Sequence, residues 1–316
     1  MHEVQHAGLQ LPEKDSVTLL EAIAIRVLLG DGAMGTQLQY AGLEPGGCGE
    51  AWNVDAAEKV LKIQQAYVEA GSDCLITNTF GGSRIMLDRH DEGARTREIN
   101  RAGAEVARRA FGGKRGYVLG DIGPFGGLME PYGDIALELV ESAFAEQALA
   151  LVEGGVDAII VETQTSLDEL GIAIRAAKAA GVACVIGSMA FDKMHTGDEV
   201  RTMMGTSPEM AAEFMAENGC DILAMNCGTG IDMALAADTA RRYRSISGLP
   251  IMAQPNAGLP VLENMKVLYK ETPAEMAVGL PELLAAGVRI IGGCCGSTPA
   301  HIRKFREVLN ESHTGA

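Results

Sequence analysis

Short apolar runs rich in β-branched residues alternate along this chain with longer stretches whose apolar positions recur at helical spacing. The runs are Val27–Leu29, Cys74–Thr77, Tyr117–Leu119, Ala158–Val161, Cys184–Gly187, Ile222–Met225, Ile251–Ala253 and Arg289–Ile291. Each is too short for a buried helix and reads as a strand. Between and after them lie the amphipathic stretches Asp55–Ala70, Arg95–Phe111, Ile135–Glu153, Ser166–Ala180, Pro208–Asn218, Asp232–Ser247, Pro273–Ala286 and Pro299–Glu311. The punctuation agrees with this reading. Gly71, Gly155, Gly181, Gly219 and Gly287 follow helical stretches where a left-handed C-terminal residue is wanted. Thr272-Pro273, Ser207-Pro208 and Thr298-Pro299 supply a capping side chain followed by proline in the first turn.

Regular βα alternation predicts a parallel sheet with helices outside it, and eight such units without a linker predict a closed (β/α)8 TIM barrel. A doubly wound open sheet is the alternative. The whole chain, 1–316, is expected to form one domain, with about 1–20 as an N-terminal extension. Apolar residues make up 47% of the chain and aromatics only 4%, so the core has to be built from small and branched aliphatic side chains.

Charge and cysteine usage narrow the function. A formal charge of −16 argues against a nucleic-acid partner, which needs clustered Lys and Arg. No apolar run is long enough to span a bilayer, and the polar N-terminal stretch lacks the hydrophobic segment of a secretory signal. A cytoplasmic location is therefore expected, with no membrane partner. Seven cysteines at irregular spacing fit a reducing compartment. Cys48, Cys74, Cys184 and Cys220 read as buried or incidental.

The remaining three cysteines stand out. Cys294 and Cys295 are adjacent within Gly292-Gly293-Cys294-Cys295-Gly296, after the eighth strand, and Cys227 follows the sixth within Asn226-Cys227-Gly228. Neighbouring cysteines cannot easily join to each other, and three thiolates converging on Zn²⁺ leave one tetrahedral position open, as in a catalytic site. A glycine-rich anion-binding turn is the rival reading of the same loop. In a barrel the chemistry sits at the C-terminal ends of the strands. Asp31, Thr79, Glu162, Cys227, Asn256, Cys294 and Cys295 all fall there. Glu162 is either a ligand for a substrate cation or the partner of a buried Arg or Lys. Asp31 either faces an ammonium group or caps the next helix. The sequence Asp88-Arg89-His90-Asp91-Glu92-Gly93 has the D-x-H-x-x-G form associated with corrinoid binding, but it lies in a strand-to-helix connection of a barrel and reads as a chance match. The other histidines, His195 and His301 among them, show no metal-ligand spacing.

Taken together, Asp31-Gly32-Ala33-Met34-Gly35-Thr36, Thr77-Asn78-Thr79-Phe80, Glu162-Thr163, Asn226-Cys227-Gly228, Pro255-Asn256-Ala257-Gly258 and the double-cysteine loop resemble the homocysteine S-methyltransferase family, in particular the homocysteine-binding module of cobalamin-dependent methionine synthases. The resemblance runs from about Val27 to Leu309. It implies zinc held by Cys227, Cys294 and Cys295. It further implies that Asp31, Glu162 and the backbone at Gly32 hold the amino-acid end of homocysteine, that Thr79 and Phe80 line the pocket, and that Asn256 takes zinc's fourth position until the thiol displaces it. The methyl donor is expected from outside the chain, as methylcobalamin, a separate corrinoid protein or a small methylated compound. Thr163 stands where betaine-using relatives carry tyrosine, which disfavours betaine. Two other readings are a methyl-exchanging component of a corrinoid-linked system and a non-catalytic homocysteine- or zinc-binding subunit.

Overall fold

The computed structural model describes residues 17–195, 199–263 and 266–314. Its centre is a ring of eight parallel strands: β1 (Leu28–Leu29), β2 (Cys74–Ile76), β3 (Tyr117–Ile122), β4 (Ala158–Gln164), β5 (Val185–Met189), β6 (Ile222–Asn226), β7 (Ile251–Gln254) and β8 (Val288–Ile291). Each of β2 to β7 pairs with the next in the chain, and β8 returns to β1 with Leu28 opposite Ile290. The Asp73 N–H bonds the Leu29 carbonyl at 2.7 Å and bridges the remaining gap between β1 and β2. The predicted barrel is thus the observed one, and the open sheet is excluded.

Strand alternation divides the core into two layers. Leu28, Cys74, Leu119, Ala158, Ile160, Cys184, Ile186, Ile222, Ala224, Met252 and Ile290 fill the barrel interior. Leu29, Leu75, Val118, Ile159, Val161, Val185, Leu223, Ile251 and Ile291 face the surrounding helices. Cys74, Cys184 and Cys220 are buried as small hydrophobes, and Cys48 is half-buried.

A helix absent from the sequence-based prediction, Leu19–Ile25, begins inside the stretch read as an extension; residues 1–16 lie outside the described residues. A Thr18–Glu21 capping box starts it, and Leu19, Ala22 and Ile23 pack against the interior cluster. Seven residues are too few to display a clear helical period. Nearby, Asp73 joins Arg26 at 2.9 Å and Arg306 at 2.5 Å and accepts from the Leu29 N–H. This ties the first strand, the second strand and the last helix at the end opposite the site.

The five glycines predicted to end helices all have positive φ, between 77° and 109°. The predicted helix Pro273–Ala286 is two helices, Pro273–Ala277 and Leu280–Ala285. Pro281 accounts for the break, since it has no N–H for the Ala277 carbonyl and its ring collides with that turn. Two antiparallel ribbons also went unpredicted: Asp192–Lys193 with Val200–Arg201 after β5, and Pro260–Glu263 with Lys266–Tyr269 after β7.

Candidate metal and amino-acid site

The C-terminal rim of the barrel brings the three singled-out cysteines together. Sγ of Cys227 is 3.9 Å from that of Cys295, which is 4.0 Å from that of Cys294, and all three lie within 4.8 Å of one another. Zn–S bonds of about 2.3 Å at tetrahedral angles separate sulfurs by about 3.8 Å. The donor set and its spacing therefore fit one thiophilic ion with little movement. They do not suit a phosphate turn, because sulfur rather than backbone N–H converges there.

Local backbone explains how two loops meet. Gly292 N–H bonds the Ala253 carbonyl, Gly293 N–H the Asp31 carbonyl and Cys294 N–H the Pro255 carbonyl, so the loop after β8 is stitched to those after β7 and β1. A side chain at Gly293 would run into Ser297. On the other loop Cys227 itself takes a left-handed conformation, φ 59°, as does Thr163, φ 57°. Asn256 ties the two loops, with Nδ2 donating to the Gly228 carbonyl at 2.9 Å and Oδ1 accepting from the Cys295 N–H at 3.0 Å. Among the thiols alone, contacts from Cys227 and Cys294, with help from the Tyr269 hydroxyl, pull Cys295 down to about 3, while Cys227 and Cys294 are driven up.

Beside the sulfurs opens a cavity of about 390 Å³. Asp31, Asp121, Glu162 and Glu50 line it, together with Gly32, Thr79 and Phe80, and no Lys, Arg or His does among the described residues. Asp31 Oδ2 accepts from the Ile76 N–H at 2.9 Å, while Oδ1 is buried without a partner. Burial lifts its carboxyl to about 8. Asp31 does not cap the next helix, whose first cap residue is Ala33 with no side-chain bond. Burial lifts Glu162 to about 7 against the opposing hydrogen bond from Asp121. Burial, then the Glu162 charge, raises Asp121 well above the carboxylate range. Glu162 has no Arg or Lys partner among the described residues. Thr79 Oγ1 donates to the Asp121 carbonyl, and Phe80, 40% exposed, stands at the mouth.

Orphaned carboxylate oxygens facing a cavity without cations are suited to an ammonium ligand, since an unpaired buried charge is otherwise costly. Sequence reasoning missed Asp121, although Gly120-Asp121-Ile122 has the same strand-end polarity as Glu162. It also missed Tyr269, which comes from the unpredicted ribbon and gave no local signal. His90 is exposed in a short turn, Asp88–His90, and His195 is exposed as well. His301 is buried and occupied by Thr298 and the Glu271 carbonyl. None of the three joins the site.

The family model for homocysteine S-methyltransferase matches residues 28–309. The chain is 34% identical over 300 residues to the methionine synthase of Mycobacterium tuberculosis and 34% identical over 313 residues to that of Mycobacterium leprae. These matches take in 90% and 94% of this chain but 25% of each relative, so the chain spans about a quarter of the length of the curated relatives. Among solved structures, the metallated form of the homocysteine methyltransferase MmuM from Escherichia coli shares the fold, with a TM-score of 0.72 at 23% identity, covering 92% of this chain and 99% of that one.

Proposed function

This chain belongs to the homocysteine S-methyltransferase family, and we propose that it transfers a methyl group to the thiol of homocysteine, giving methionine, with zinc held by Cys227, Cys294 and Cys295. The observation that carries the reading is the juxtaposition of three sulfurs within 4.8 Å of one another with a cavity lined by four carboxyl groups and, among the described residues, no cation. Bound zinc deprotonates a coordinating thiol and so makes thiolate available at neutral pH. The protein's own residues supply orientation. Asp31 and Glu162 take the ammonium group, the backbone at Gly32 takes the carboxylate, and Thr79 and Phe80 wall the side chain. A sulfur–methyl bond then forms as the donor–methyl bond breaks, its electron pair leaving with the donor, and the thiol proton passes to water. Asn256 Oδ1, which accepts the Cys295 N–H, keeps a second lone pair with which it could fill zinc's fourth position until the substrate thiol displaces it.

The donor is external to this chain in our reading: methylcobalamin, a separate corrinoid protein or a small methylated compound. The resemblance of the sequence motifs to the module of cobalamin-dependent methionine synthases favours the corrinoid. No helix among the described residues is long and apolar enough to cross a membrane. Free, half-buried thiol ligands are suited to the reducing cytoplasm, where we place the protein. The test is metal analysis of wild type and the three Cys→Ala variants, followed by methyl-transfer assays with methylcobalamin, S-methylmethionine, S-adenosylmethionine, methylfolate and betaine. We expect one zinc per chain, roughly hundredfold weaker zinc binding in each variant, and activity lost on chelation and restored by zinc. Full zinc affinity in Cys294→Ala, or methyl transfer that survives chelation, refutes it.

A further inference from the structure

We infer that Asn226 is a positioning residue that couples the metal end of the pocket to its amino-acid end, so that loading the cysteines tightens the hold on the ammonium group. The inference rests on the function proposed above. Asn226 closes β6, directly precedes Cys227 and is 3% exposed. Its Oδ1 accepts from the Thr163 N–H at 2.9 Å and from Ser188 Oγ at 2.6 Å. Its Nδ2 donates to Thr163 Oγ1 at 2.7 Å and reaches Cys294 Sγ at 4.0 Å, the outer limit of an N–H···S contact. The backbone N–H of Thr163 can only donate, which fixes which end of the amide is oxygen and leaves the N–H₂ pointing at the sulfur.

One side chain thus joins the strand ends that carry Glu162, Cys227 and Cys294. The backbone on either side makes this more than packing. Thr163, next to Glu162, and Cys227, next to Asn226, are both left-handed non-glycine residues. Such a conformation persists only where the surroundings over-determine it. For Thr163, the Asn226 amide supplies that determination by gripping both the N–H and the hydroxyl. For Cys227, the restraints are its own N–H to the Gln254 carbonyl and, once loaded, the metal.

An ion that fixes Cys227 and Cys294 therefore also fixes the Asn226 amide, which holds the Thr163 turn, which aims the Glu162 carboxylate into the cavity. Ordering completed by the first ligand need not be repeated for the second, so the two bind cooperatively and reciprocally. Partners that orient a metal ligand from behind act in this way in other sites.

Homocysteine itself cannot reveal this coupling, because its sulfur would bond the metal directly. The probe is α-aminobutyrate, which has the same amino-acid end and no sulfur, titrated calorimetrically into zinc-free and zinc-loaded protein under reductant. We expect zinc to tighten its binding about fivefold or more in wild type. In Thr163→Val, which keeps the shape and removes only the acceptor for Nδ2, the factor should fall below about twofold, with zinc affinity in chelator competition reduced several-fold and the thermal midpoint near that of wild type. Asn226→Ala should abolish the coupling as well. Identical affinities with and without zinc in wild type, or an undiminished factor in Thr163→Val, overturn the inference while leaving the proposed function intact. If wild type binds no zinc or no α-aminobutyrate, the proposed function falls and the inference with it.

Discussion

Binding of the amino-acid end should depend on pH through Glu162. Burial places this carboxyl at about 7 before a ligand arrives. Only its ionised form can hold an ammonium group by charge, so the fraction competent to bind is about a tenth at pH 6 and about nine-tenths at pH 8. Ionisation of Glu162 alone should therefore weaken affinity for α-aminobutyrate about tenfold between pH 8 and pH 6, and Asp31, lifted to about 8, adds to the fall in the upper part of the same range. The sulfur-free ligand matters here, since homocysteine would also exchange its thiol proton. Glu162→Gln removes a charge-assisted bond worth roughly 1.5 to 3 kcal/mol, so at pH 8 its Kd should rise roughly tenfold to a hundredfold and the step near 7 should vanish. Stability has the opposite sign. A carboxyl whose folded pKa is raised contributes stability that is fully present below its unfolded value near 4.5 and is lost as pH rises through 7. The ligand-free protein should accordingly melt lower at pH 8 than at pH 5.5 on account of Glu162. Calorimetric titration from pH 6 to 8 decides the matter. A flat wild-type profile, or a step near 7 that survives in Glu162→Gln, would refute the assignment of that titration to Glu162.

Gly228→Ala should destabilise the fold by about 2 kcal/mol or more, because Gly228 has φ 82° and a methyl group there would overlap the Phe191 carbonyl. Urea denaturation and metal analysis check it, with zinc expected to fall alongside stability because Cys227 is the adjacent residue. Asp73→Asn should cost about 2 to 3 kcal/mol by denaturation at pH 7, leaving Arg26 and Arg306 without their shared partner. Burial alone would raise this carboxyl, but Arg26, the Leu29 N–H and Arg306 hold it below the usual value. Its contribution is present above the unfolded pKa and lost as pH falls through the folded one. Zinc content and α-aminobutyrate affinity should stay at wild-type levels, since Asp73 sits at the opposite end of the barrel.

The barrel could be read from the chain before any contact was known, because eight short β-branched runs spaced by amphipathic helices and closed by left-handed glycines admit few other arrangements. So could the residues that stand at the strand ends, since in a parallel barrel position in the chain fixes position on the rim. Cys227, Cys294, Asp31 and Glu162 were legible for that reason. Local pattern could not show what a strand-end side chain faces once eight loops converge. Asp121 repeats the polarity of Glu162, yet only tertiary packing buries the two carboxyls beside each other and so raises both. The same holds for Asn226, whose partners Thr163, Ser188 and Cys294 come from β4, β5 and the loop after β8 and are 63, 38 and 68 residues away. The short plug helix Leu19–Ile25 and the ribbon that presents Tyr269 were hidden for a related reason. Their stability comes from the surfaces they cover, and short segments with little period of their own disclose nothing until those surfaces exist.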